Sequence, residues 1–356
     1  MSSDLVLQIL FYIFISYLFL LLLFFSALQV PRWKPESFQA PDFKIRVIVP
    51  CKGVDLTLEE NLKSIMRQSY RDYSVIAVVD SEDDPSCEIL RKVGLEYIVS
   101  EAGDLRGSGK VRAVYSALLE STEQVIVIAD SDITVEKDWL ERLVQPLMSL
   151  KYGISTTFPL FEPVGGFWSR FKALWGTIGI GMMESKLTRF AWGGSLAFRR
   201  SILSGKELEF GNQISDDIFL TKACLASGLQ IYYSPEARAV IHSDDDFATF
   251  FEWSNRQTAL SISSGSKVLY YGIILYFNQI LLYSMAIFLS FVVTPLFLLL
   301  LIPYLLNVLR TLKRIPFRFP MIIPGSFILP FFYLLNLLVA GGMHKITWRG
   351  SVYSLR

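Results

Sequence analysis

The chain has 356 residues with 34 Lys+Arg against 33 Asp+Glu; it is 52% hydrophobic and only 19% charged, with a mean hydropathy of +0.41. This excludes a disordered chain, and it speaks against a wholly soluble protein and against a nucleic-acid binder, which would show a basic excess. The near-neutral total also hides two unlike parts: no Asp or Glu follows Glu252, whereas nine bases do, so that a tail of +9 balances a front of −8.

Leu5 to Val30 carries no charge and is long enough for a helix across a bilayer core, which takes about 20 residues. A cleaved signal peptide would have a basic start and a shorter apolar run. Here Asp4 precedes the segment, while Arg32 and Lys34 follow it. The positive-inside rule then predicts a retained anchor over residues 1–31, with the next domain in the cytoplasm.

Residues 32–246 read as one α/β domain. Strands are expected at Lys44–Pro50, Tyr73–Asp80, Leu95–Val99 and Gln124–Asp130. Helices are expected from a Thr57/Glu60 capping box through Met66, over Gly109–Leu119 and over Glu136–Met148. This alternation implies a largely parallel sheet covered on both faces, with a ligand crevice at the carboxyl ends of its strands. Two of those ends carry acids, Asp80 with Asp83 and Asp84, and Asp130 with Asp132. Phe167–Met183 fits either a core helix or an amphipathic helix touching the bilayer or a lipid acceptor. Trp192-Gly193-Gly194 lets backbone approach a neighbour closely. Ser215-Asp216-Asp217 opens a helix to Ala226, and Asp244–Asp246 caps the next one.

Residues 247–267 read as an interfacial helix with Trp253, Arg256 and Gln257, and residues 268–356 as a membrane region. Val268–Leu309 is uncharged and would form two helices turning near Thr294 and Pro295. Phe319–Met343 holds Pro320, Pro324, Gly325 and Pro330, which makes it a kinked span or a re-entrant segment. The re-entrant form keeps both basic flanks, Arg310–Arg318 and Lys345–Arg356, in the cytoplasm. Cys51, Cys87 and Cys224 form no CxxC pair and read as reduced thiols, and His242 and His344 are too few for a zinc site.

Acids at strand ends would repel an anionic nucleotide diphosphate unless a divalent cation lay between them. Mg²⁺ or Mn²⁺, which favours a carboxylate or two plus phosphate oxygens, suits Asp130 and Asp132. G-S-G-K lacks the spacing of a phosphate loop, and no G-x-G-x-x-G follows the first strand.

In order, V-V-D-S-E-D-D-P, G-S-G-K, I-A-D-S-D, W-G-G-S-L-A-F-R-R, S-D-D and W-x-x-R-Q ahead of apolar segments resemble a family 2 inverting glycosyltransferase with the GT-A fold. P-C-K-G at Pro50–Gly53, D-D-P at Asp83–Pro85 and I-T-W-R-G-S-x-Y-S-L at Ile346–Leu355 are similar to the ceramide glucosyltransferase branch, which includes bacterial relatives acting on hopanoid-type lipids. The resemblance implies Asp80 or Asp83 at the nucleoside and Lys110 near the nucleotide. It implies Asp130 and Asp132 on sugar-nucleotide and metal, and Trp192, Gly193 and Gly194 around the sugar or acceptor. Asp217 would be the general base with Asp216 beside it, and Trp253, Arg256 and Gln257 would shape the acceptor pocket. Glu252 stands where the family's motif has an arginine before its tryptophan, and Arg256, one turn on, would supply that cation. The expected reaction moves a sugar from a nucleotide-sugar, UDP-linked by preference, to a hydroxyl of a membrane lipid. A polyprenyl-phosphate acceptor and a non-enzymatic membrane scaffold are the alternatives.

Overall fold

The run I-R-V-I-V-P of strand β1 (Ile45–Pro50) is β-branched and apolar, which suits a pleated strand buried on both faces. Its side chains alternate between two layers. Val47 and Val49 pack with Leu62, Val127 and Leu143 on one face, and Ile48 packs with Val114, Ile126, Phe198 and Leu220 on the other. Each such fully buried side chain contributes roughly 1.5–3 kcal/mol. Burial, more than strand propensity, therefore fixes this sheet. The computed structural model describes residues 3–31, 33–101, 103–265, 267–317 and 319–355. Arg32, Arg318 and Arg356, named above as basic flanks, lie outside the described residues.

The other strands are β2 (Tyr73–Val79), β3 (Tyr97–Val99), β4 (Val125–Ala129), β5 (Ile133–Val135), β6 (Tyr152–Thr156), β7 (Leu160–Pro163), β8 (Ser195–Arg199), β9 (Gln230–Tyr233), β10 (Ala239–Ser243), β11 (Lys345–Trp348) and β12 (Ser351–Ser354). The main sheet has the order β3-β2-β1-β4-β8-β6-β9. Only β8 runs antiparallel to its neighbours, β4 and β6. That reversal brings the start of β8 beside the finishing ends of β4 and β6. A second sheet, β5-β10-β7, and the β11-β12 hairpin complete the strands.

The first four strands and the helices Leu58–Met66, Gly109–Glu120, Asp216–Ala226 and Phe247–Ser264 fall close to the expected segments. Three expectations need correction. Thr57 holds the cap position, but its hydroxyl donates to Asn61 Oδ1 at 2.9 Å and makes no backbone cap, so the box does not form. Glu136–Met148 is a short α-helix at Trp139–Val144 running into a 3-10 turn at Gln145–Met148, where Pro146 has no N–H for the α-helical ladder. Phe167–Met183 breaks at Gly176 into Phe167–Trp175 and Thr177–Glu184.

Among the described residues, four helices are long and apolar enough to cross a membrane: Asp4–Leu28, Lys267–Val292, Pro295–Arg314 and Ile322–Gly341. Leu18, Leu21 and Phe25 of the first pack on Leu282, Tyr283 and Ala286 of the second. Thr294 and Pro295 mark the turn into the third, as expected. Ile322–Gly341 is one helix with Pro330 inside it and no turn along its length. It lies on the α/β domain at both ends. A β-carbon on Gly325 would meet Leu174 Cδ1 at 2.4 Å. Asn336 accepts from Trp175 Nε1 at 2.9 Å and donates to Asn255 Oδ1 at 2.8 Å. Glu184 ties the domain to the third helix through Arg310 and Arg314.

Candidate active site

One cavity of about 610 Å³ opens at the carboxyl ends of β1, β2 and β4. Every predicted site residue lines it except Asp83. Asp80 follows β2 and pairs with Lys52 Nζ at 2.9 Å. Asp83 is exposed, three residues on, and the structure does not bring it into the crevice. Its neighbour Asp84 accepts from Gly53 N at 3.0 Å and Ser86 N at 2.9 Å, bracing the loop after β1, where Gly53 takes a φ of +68°. The D-D-P acids thus divide into a surface carboxylate and a structural brace.

Lys110 is the node of the acid cluster. Ser108 caps its helix by accepting from Val111 N at 3.2 Å. Lys110 Nζ lies 2.7 Å from Asp130 Oδ1 and 3.3 Å from Asp216 Oδ2, and it donates to Gly193 O at 3.0 Å. Burial pulls the lysine down, but Asp130 and Asp216 outweigh it and hold the ammonium above its ordinary value. Burial raises Asp130 despite the same ion pair. The antiparallel strand supplies the facing wall: Asp130 N donates to Gly194 O at 2.9 Å. Gly193 must be small, because a β-carbon there would sit 2.5 Å from Asp216 Oδ2. Gly194 lies as tightly under the Trp192 ring.

Two further carboxylates are perturbed. Burial, then Asp130 and Asp55, push Asp132 up to about 7. Asp132 Oδ1 is buried with no hydrogen-bond partner among the described residues. Burial and then Asp216 push Asp217 up to about 6, against the Ser215 hydroxyl that bonds it. Asp217 Oδ1 also accepts from Ile218 N at 2.7 Å, which fixes the carboxylate at the first turn of its helix. Among the described residues no three His, Cys, Asp or Glu converge as a closed metal cage. An orphaned buried carboxylate oxygen beside a second acid does fit a hard divalent cation that completes its shell with phosphate oxygens and water.

The far end of the cavity is apolar. Phe158, Phe161, Trp175, Ile178, Met182 and Phe190 line it. Trp253 packs edge-on against Phe161 and Trp175, with ring centroids 5.1 and 5.0 Å away. Lys172 Nζ, paired with the buried Asp245 at 3.0 Å, lies 4.7 Å from the centre of the Trp253 ring. Asp245, expected as part of a solvated cap, is therefore a buried counterion, while Asp246 makes the cap by accepting from Thr249 N at 2.8 Å. The mouth is formed by Leu187, 91% exposed, and by Leu260, Ser264 and Val268, where the second apolar helix begins.

The family model for glycosyl transferase family 21 matches residues 9–356, nearly the whole chain. The chain belongs to glycosyl transferase family 21. The α/β domain of this family 21 member has a mostly parallel sheet with one reversed strand at the crevice. It is 32% identical to the ceramide glucosyltransferase of Pyricularia oryzae over 130 residues, covering 31% of this chain and 26% of that protein. It is 22% identical to ceramide glucosyltransferase 1 of Caenorhabditis elegans over 236 residues, covering 62% of this chain and 50% of that protein. The matched segments thus span half or less of these relatives' lengths. Among solved structures, a mannosyltransferase from Pyrobaculum calidifontis in complex with GDP-Man and Mn²⁺ is similar at a TM-score of 0.49 and 15% identity, over 90% of this chain and 81% of the other.

Three cavity-lining residues of the β11-β12 hairpin, and Asp55 outside that lining, carried no predicted role. Asp55 accepts from Ser131 Oγ at 2.5 Å and from Arg349 Nη2 at 2.7 Å. Trp348, Arg349 and Tyr353 of the β11-β12 hairpin line the cavity. The motif I-T-W-R-G-S-x-Y-S-L was visible in the sequence. Its return to the crevice after the apolar helices was not. Arg256, expected to replace the arginine lost at Glu252, faces the cavity with its guanidinium 5.7 Å from the Trp348 ring, while Glu252 is exposed.

Proposed function

We propose that this glycosyltransferase moves a sugar from a nucleotide-sugar, preferentially a UDP-sugar, to a hydroxyl of a membrane lipid at the cytoplasmic face, inverting the anomeric carbon. One observation carries this reading: a single cavity runs from the acids at the strand ends to an apolar wall whose mouth includes Val268, at the foot of a membrane-length helix. An acceptor with a polar head and an apolar tail matches that gradient.

Asp80 is the donor-side acid for the nucleoside, and Lys110 stands beside the diphosphate. Asp132, with Asp130, would hold Mg²⁺ or Mn²⁺; such a cation supplies positive charge against the leaving diphosphate. Asp217 takes the proton of the acceptor hydroxyl as its oxygen bonds to the anomeric carbon. The bond from that carbon to the diphosphate breaks at the same time, and the nucleoside diphosphate leaves with its electron pair. A carboxylate near pH 6 is ionised yet still basic at cytoplasmic pH, which suits this work. Gly193 and Gly194 give the sugar its room, and Trp192, Trp253, Arg256 and Gln257 line the acceptor's path. Lys34 follows the first apolar helix and Lys313 and Arg314 end the third, all on the side of the α/β domain, which supports a cytoplasmic face.

The test is incubation of the full chain in detergent with a panel of nucleotide-sugars and total lipid, followed by mass spectrometry of the products. A neutral glycolipid is expected. Product only with phosphorylated polyprenyl acceptors would replace the lipid-hydroxyl reading, and no product with any donor would reject it.

A further inference from the structure

The β11-β12 hairpin spans the crevice and touches both of its sides. On the donor side, Arg349 donates to Lys52 O and to Asp55, in the loop after β1. Tyr353 Oη accepts from Gly109 N at 3.1 Å, the first N–H of the helix that carries Lys110. On the acceptor side, Trp348 faces Arg256, and Ile346 is buried against Ala259 and Ala340. The hairpin is thus anchored on the apolar helices and reaches over the acids.

Its turn is telling. Trp348 pairs with Ser351, leaving Arg349 and Gly350 as a two-residue loop with φ of +46° and +77°. Such a loop favours Asn-Gly, and a left-handed Arg is strained because its β-carbon crowds the following carbonyl. Arg349 is the one non-glycine residue with positive φ among the described residues. A strained position that places a guanidinium among carboxylates points to use of its charge. The guanidinium is a planar fork that matches phosphate oxygens.

We propose that Arg349 is a donor-binding residue whose guanidinium engages the diphosphate of the nucleotide-sugar, and that Asp55 positions it when no donor is bound. The hairpin is then the wall that closes the nucleotide against Lys110 and the helix start at Gly109. This rests on the nucleotide-sugar reading above.

The test uses the full chain in detergent with Mg²⁺, calorimetry for UDP and GDP, and saturation-transfer NMR for uridine. UDP binding to Arg349→Ala is expected to weaken at least about tenfold, with uridine unchanged within about twofold. Arg349→Lys, which keeps the charge without the fork, should fall between. Wild-type affinity for UDP in Arg349→Ala overturns the proposal, as does an equal loss of UDP and uridine in both variants. If the unaltered chain binds neither UDP nor GDP, the donor reading itself fails and this proposal with it.

Discussion

A β-carbon on Gly193 would lie 2.5 Å from Asp216 Oδ2, closer than any real side chain allows. The backbone at Gly193 and the carboxylate at the helix start therefore occupy one another's space. Gly193→Ala must push Asp216 away from Lys110 or shift the ladder that joins Gly194 to Asp130. Transfer should fall about a hundredfold, since a displacement near 1 Å at a reacting site has that effect. Initial rates with saturating donor, beside a melting curve, check this.

Asp217→Asn should lower kcat by about 10²–10⁴-fold, the range for losing a general base. The same change should raise thermal stability. The folded carboxyl titrates at about 6, above its unfolded value of 3.8. The folded state therefore binds the extra proton between those values, and stability declines as pH rises through that window. An amide cannot ionise and escapes the loss. An inactive variant with a higher melting temperature would meet both expectations; near-normal turnover would remove Asp217 from the reaction.

The pH profile follows from the same group. As a base, Asp217 must be ionised, so kcat should fall on the acid side of about pH 6 and flatten above it. The acid limb should be missing from the residual activity of Asp217→Asn.

Lys110→Met leaves Asp130 and Asp216 without their shared ammonium. Removing one partner of a buried ion pair costs about 3–5 kcal/mol, so the variant should melt at a markedly lower temperature. Chemical denaturation at pH 7.5 and at pH 5.5 measures it, and the defect should shrink at the lower pH as the stranded acids take up protons.

Glu184→Gln tests the joint between the α/β domain and the third apolar helix. Burial raises this carboxyl, but Arg314 and Arg310 outweigh it and hold it below its ordinary value. Its stabilising part is present above about pH 4.5 and is lost as pH falls through the depressed value. The variant should melt lower at neutral pH, with the difference narrowing in acid, as seen by tryptophan fluorescence in detergent.

The front of the domain was legible because β1, β2 and β4 are apolar runs and two of them, β2 and β4, run straight into acids, so strand and site share one signal. The later strands were not. β8 is only S-L-A-F-R, and its place between β4 and β6 rests on pairings such as Ile126 with Phe198 and Ile154 with Phe198, which no local pattern encodes. The acid pairs at Asp130/Asp132 and Asp216/Asp217 were picked out by type and order and line the cavity, whereas Asp83, kept beside Asp80 on motif spacing, lies outside it. Arg349 was missed because its partner Asp55 is 294 residues away. Asp245 was read as part of a helix cap because its counterion, Lys172, lies far back in the sequence on the helix Phe167–Trp175.

The hairpin at Lys345–Ser354 has a consequence for how the molecule is made. The ribosome produces it only after all four membrane-length helices, yet it forms a wall of the crevice built from residues near the start of the α/β domain. A domain released before those helices are in place would fold its sheet and gather its acids without Trp348, Arg349 or Tyr353. Chain order thus sets when the crevice is whole: the α/β domain lacks one wall of its cavity until the chain beyond the last membrane-length helix has been made.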